Sequence, residues 1–169
     1  MRTYVVFYKP SGLVSLGLVE RLYRAALWLY QHGKLTYHHV GLLVEFDDGT
    51  SLVSHLTWDG ADMFDLRDLN KAYTLDKVEV YFDYDALSNS HFWAKEYNVR
   101  VSLVDAVRVF FKQKYHSPLC TDFVNGVLYE DERLGYKHNR QPETPDQLYV
   151  RLTDNRRTVE HSRLLASVS

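Results

Sequence analysis

The stretch YHHVGLLVEFDDGTSLVSHLTW, Tyr37 to Trp58, decides how the rest of the chain is read. Two strand-like runs, Tyr37 to Phe46 and Ser51 to Trp58, flank Asp47-Asp48-Gly49, a hairpin signal because Asp and Gly accept the backbone angles of a tight reversal. His39 and His55 stand on the two arms, and register decides whether they share a face. With a three-residue loop from Asp47 to Gly49, and Gly49 left-handed in a bulged turn, Phe46 faces Thr50 and opposite residues sum to 96. Gly41 then faces His55. His39 lies on the same face, diagonal to His55 at roughly 7 Å between backbones. A two-residue loop at Asp48-Gly49 instead pairs His38 with His55 and sends His39 to the opposite face.

Outward from the hairpin, Thr3 to Tyr8 reads as a first strand that stops at Lys9-Pro10-Ser11-Gly12. Apolar residues at helical spacing predict a helix from Leu13 to about His32, with Gly33 as its stop. Leu75 to Phe82 is strand-like. The second half turns helical, with Asp85 as an expected N-cap for a helix to about Tyr97, and Ser102 with Asp105 for one to about Tyr115. Ser117-Pro118 predicts a helix start, since proline suits the first helical position. A polar, loop-like stretch over 130–143 precedes Thr144-Pro145-Asp146-Gln147, a capping-box pattern for a short helix to about Thr153. The order is α+β, with one domain over 1–154 and a tail over 155–169.

At 169 residues and 46% hydrophobic content the chain suits one domain with its own core. Its net charge of -2, with both signs scattered, offers no basic face for nucleic acid. One cysteine can form neither an intramolecular disulfide nor a thiolate cluster for structural zinc. No metal or cofactor is expected. No run approaches the ~20 apolar residues of a membrane span and no signal peptide is evident, so the expectation is a soluble protein, cytoplasmic or virion-associated.

That cysteine, Cys120, lies in SPLCTDFV. In the first turn of a helix, unpaired N–H groups and the helix dipole favour a thiolate, and a nearby imidazole can supply or take its proton. Taken alone, a single cysteine reads more simply as a small apolar side chain of the core. The histidine hairpin changes that balance: one imidazole can serve as base and then acid, while the second fixes its tautomer. Among the other candidates, His38 is expected on the opposite strand face. His116 reads as a loop residue, and His91, His138 and His161 as solvated. Tyr37 and Tyr115 are candidates to line a substrate groove.

His39-Val40-Gly41, then His55, then Cys120-Thr121-Asp122-Phe123-Val124 follow one another in an order that resembles circularly permuted papain-like proteins related to the NlpC cell-wall peptidases, the YiiX-like group, and more distantly the lecithin retinol acyltransferase family. The resemblance runs from about Tyr4 to about Leu152 and includes Thr144 to Leu148, similar to a segment that follows the cysteine helix there. The Gly-Asp pair that opens the first strand in such proteins is missing, since this chain has Arg2-Thr3-Tyr4. The resemblance implies a papain-like α+β fold with a small antiparallel sheet. It also implies a cysteine peptidase or amidase acting on peptidoglycan-type peptide or amide bonds, with Cys120 as nucleophile, His39 as base and His55, or Ser54 if the register slips, as the third member. Two alternatives stay open: a lipid-directed acyltransferase or thioesterase, and an inactive binding or structural module of a phage particle or cell-wall assembly.

Overall fold

A computed structural model describes residues 1–10, 21, 22, 25, 28, 36–69, 73–102, 104, 105, 108, 117–128 and 143–154. Its centre is a five-stranded antiparallel sheet of β1 (Arg2–Pro10), β2 (His39–Glu45), β3 (Ser51–Thr57), β4 (Gly60–Asp65) and β5 (Tyr73–Glu79), in the spatial order β4-β3-β2-β1-β5. The fold is α+β, as the alternation of strand and helix signals predicts.

Gly49 fixes the sheet's register. It adopts φ +86°, which a residue with a side chain rarely tolerates. Around it the Phe46 N–H donates to the Thr50 carbonyl at 2.9 Å and the Gly49 N–H to the Phe46 carbonyl at 3.1 Å. Asp48 Oδ1 accepts from the backbone N–H and the hydroxyl of Thr50, closing the loop. The strands then pair from Glu45 opposite Ser51 to Leu42 opposite Ser54, the register of the three-residue loop. His39 and His55 therefore share a face, and the two-residue alternative is excluded.

Alternation along the strands makes two apolar layers. One face carries Val5, Phe7, Val40, Leu42, Val44 and Leu56 into the main core, with Cys120, Phe123, Val124, Val127 and Leu148. The other face buries Val6, Tyr8, Leu43 and Val53 beneath Phe64, Leu66 and Tyr73. The helices pack on the first face. The helix α1 (Tyr84–Glu96) is capped by Asp83, whose carboxylate accepts from the Asp85 N–H at 3.0 Å, so the cap lies two residues before the expected Asp85. The helix α2 (Cys120–Leu128) starts later than the Pro118 expected from sequence. Asp122 explains the shift: its Oδ2 accepts from the Leu119 N–H at 2.8 Å, which makes Leu119 the cap and Cys120 the first helical residue.

The last helix, α3, covers 145–154 and begins with the predicted capping box. The Thr144 N–H donates to Gln147 Oε1 at 2.8 Å, and the Gln147 N–H to Thr144 Oγ1 at 3.3 Å. Of the predicted first helix, Arg21, Leu22, Ala25 and Trp28 are helical, and of the one after Ser102, Val104, Asp105 and Arg108 are. The remainder of both, the 130–142 stretch and the 155–169 tail lie outside the described residues. Sequence periodicity misses β4, because Gly60-Ala61-Asp62-Met63-Phe64-Asp65 lacks clean apolar alternation. Backbone pairing with β3 makes it a strand, from Thr57 opposite Gly60 to Leu52 opposite Asp65. Among the described residues no helix is long and apolar enough to cross a membrane.

Thr144→Ala removes one half of the box at the start of α3. It should cost about 1 kcal/mol and lower the thermal midpoint by about 2–4 °C, as calorimetry would measure.

Candidate functional site

Cys120, His39 and His55 line one cavity of about 170 Å³, together with Tyr8, His38, Leu56, Thr57, Trp58, Tyr73 and Val101. Three elements bring them there. β3 supplies His55, β2 supplies His39 at its first residue, and α2 supplies Cys120 at its own first residue. The β2–β3 pairing ends at Leu42 and Ser54, so His39, Val40, His55 and Leu56 lie beyond it.

Gly41 makes the histidine pair possible. A Cβ placed on it would lie 2.8 Å from the Ser54 carbonyl oxygen and 3.0 Å from the His55 Cβ, and 3.6 Å from a Tyr8 ring carbon. With hydrogen there instead, His39 Nε2 reaches His55 Nδ1 at 3.0 Å, the rings crossing edge to face at 5.0 Å. Tyr8 Oη lies 3.2 Å from the same His55 nitrogen. Burial pushes the Tyr8 phenol above its ordinary range, so it keeps its proton and can donate it. In the tautomer in which His55 Nδ1 accepts, His39 Nε2 carries the hydrogen presented to that lone pair. His39 Nδ1 is left unprotonated, the state of a base.

The electrostatics correct one expectation. The thiol is not held as a thiolate: burial pushes Cys120 up to about 12 and outweighs the Val40, Thr121 and Cys120 N–H groups, which favour the anion. The helix start is present, but Cys120 is only 4% exposed, and desolvating the charge costs more than the dipole returns. Burial likewise holds His39 well below its ordinary range, with His55 and then His38 adding to the effect. Burial brings His55 down to about 4, opposed by Asp62, which stands opposite it on β4, and assisted by His91. The resting site is a neutral thiol beside two neutral imidazoles.

Several other expectations change. Ser54 does not face the cavity; it points to the other side of the sheet, where its Oγ lies 3.2 Å from His91 Nδ1. His91 is buried at 5% exposure rather than solvated. His38, expected on the opposite face, lines the same cavity and stacks on Tyr73 at 5.3 Å, because it precedes the first residue of β2 and escapes strand alternation. Tyr37 packs in the core against Phe7 and Tyr149, and its hydroxyl bonds Asp76. Tyr115, His116, His138 and His161 lie outside the described residues. Sequence reasoning passed over Tyr8, Tyr73 and Trp58 as cavity residues. For Tyr8 the signal was there, since the end of β1 pairs with the start of β2.

No protein-family model, curated protein or solved structure matches the chain.

Gly41→Ala should destabilise the fold by about 2 kcal/mol through overpacking, read as a lower urea midpoint, because one close neighbour is backbone and cannot turn aside. The buried groups also set a stability window. From about 6.5 down to about 4 the unfolded chain takes up protons that His55 in the folded chain refuses, and His39 acts in the same direction, so stability falls as acid is added. Above about 9 the unfolded chain ionises a thiol that the folded chain keeps neutral, so stability falls again. Urea midpoints measured across pH should show both limbs, with the acid one flattened in His55→Asn and the basic one reduced in Cys120→Ala.

Proposed function

We propose that the protein is a cysteine-dependent acyl hydrolase in which Cys120 is the nucleophile, His39 the general base and acid, and His55 the residue that holds His39. The observation that carries this reading is the convergence, in one cavity, of a helix-start thiol and a histidine whose far nitrogen is fixed by a second histidine. Papain-like topology and a peptidase or amidase activity belong to this proposal as well, on the strength of the motif order His39, His55, Cys120.

Because the resting groups are neutral, the base works during the attack rather than before it. The thiol proton passes to His39 Nδ1 as the sulfur bonds to the carbonyl carbon, and His39 Nε2–H is held by His55 Nδ1 throughout. The C–N or C–O bond of the substrate breaks, and the leaving group takes the proton from His39. Water then attacks the thioester, gives a proton to His39 and releases the acid, and the proton returns to the sulfur. The Cys120 backbone N–H, at a helix start where no intrahelical acceptor uses it, suits the developing oxyanion.

The lining bears on the substrate. Leu56, Trp58, Tyr73 and Val101 are apolar or aromatic, and no Lys, Arg, Asp or Glu stands among the described lining residues. A peptidoglycan stem peptide carries carboxylates for which the described part of this wall offers no cationic side chain, whereas a neutral acyl group desolvates there at little cost. This favours the acyltransferase or thioesterase reading for the group that enters beside the thiol.

Incubation with aryl esters and acyl thioesters, followed by intact-mass measurement, tests the proposal. One acyl adduct should form on the wild type and none on Cys120→Ala. His39→Ala should slow its formation by about 100-fold or more, and neutral acyl groups should react faster than carboxylate-bearing ones. Absence of any Cys120-dependent adduct would leave the cavity as the binding pocket of an inactive module.

A further inference from the structure

With His55 Nδ1 as the acceptor, two donors reach for one lone pair. His39 Nε2 lies 3.0 Å from His55 Nδ1 and Tyr8 Oη 3.2 Å from the same atom. An imidazole nitrogen has a single acceptor site, so the two share it imperfectly while both are neutral. The balance shifts once His39 has taken a proton. Its Nε2–H becomes a charge-assisted donor, stronger by about twofold than a neutral one, and takes the lone pair. The Tyr8 hydroxyl then needs another acceptor.

Its ring cannot move far to find one. It is 3% exposed, tilts against His39 at 4.9 Å, stacks on His55 at 5.7 Å and meets Tyr73 edge to face at 6.0 Å. The proton can still swing about the C–O bond. Tyr8 faces the cavity that Cys120 lines, and lies close enough to the thiol for a charge there to disfavour ionisation of the phenol. The acceptor that appears in that cavity at the same moment is the carbonyl oxygen of the attacked substrate, which gains negative charge as His39 gains positive charge.

We propose that Tyr8 is a second oxyanion donor, its O–H turning from His55 Nδ1 to the substrate oxygen as His39 accepts the thiol proton. The inference rests on the Cys120–His39 reading and adds a catalytic residue to it. No proton leaves Tyr8: the hydroxyl donates a hydrogen bond to the oxyanion and returns to His55 when the carbonyl re-forms. Being buried, it is a donor already stripped of water, the condition under which such bonds contribute most.

The test compares two reactions of the same thiol. Alkylation by iodoacetamide needs the base but creates no oxyanion, whereas acylation by an aryl ester needs both. Tyr8→Phe keeps the ring and its stacking; its thermal midpoint, measured alongside, reports the fold. The proposal expects acylation of Tyr8→Phe to slow by about 100-fold while alkylation stays at the wild-type rate. An equal fall in both rates would mean that Tyr8 acts through His55 and would overturn it, as would no change in acylation. Should Tyr8→Phe unfold, 3-fluorotyrosine introduced at position 8 alone supplies a more acidic donor, expected to acylate at least as fast as the wild type; slower acylation with unchanged alkylation would refute the proposal. A wild type that alkylates at Cys120 but never acylates would sink the hydrolase reading itself, and the Tyr8 role with it.

Discussion

The approach of β3 to Gly41 is the contact on which the site depends. A Cβ there would stand 2.8 Å from the Ser54 carbonyl oxygen, so only a residue without one lets the strands close to this distance. That closeness places His55 beside His39, and Tyr8 from β1 beside both. Backbone spacing, not a long flexible side chain, sets the geometry. Two strands in register hold an imidazole pair with little conformational freedom left.

Much of this could be read in the sequence, and the reasons for success are local. Asp47-Asp48-Gly49 specifies its own loop through Gly49 at positive φ and the Asp48–Thr50 bonds, and a loop fixes the register of everything that follows it. Thr144 and Gln147 satisfy each other within one turn. Apart from the shifted starts of α1 and α2, the misses are non-local. β4 exists because β3 offers it a partner, and nothing in its own composition announces a strand. His91 looks like a polar residue of a polar helix until packing of α1 on the sheet buries it against Ser54. The direction of the Cys120 shift needed the tertiary surroundings as well: a helix start is visible in sequence, whereas the depth at which it is buried is not.

The neutral resting site has a chemical logic. An ion pair of thiolate and imidazolium would be costly in a cavity walled by Trp58, Tyr73, Leu56 and Val101, where neither charge is hydrated. Under the proposed hydrolase reading, holding the proton on sulfur until a carbonyl arrives keeps Cys120 quiet toward electrophiles that do not fill the cavity, and shields it from oxidation, which proceeds through the thiolate. The same burial that raises the barrier to ionisation therefore serves selectivity.

Ser54 and His55 are adjacent in the chain yet serve opposite sides of the sheet, one bonded to α1 through His91 and the other to His39. A slip of one residue between β2 and β3 would exchange them, placing a hydroxyl beside His39 and an imidazole where a small side chain packs. Seating of a helix and assembly of the cavity thus read the same parity. This hairpin cannot drift by single steps, and its alignment could change only in paired increments that carry both neighbours along.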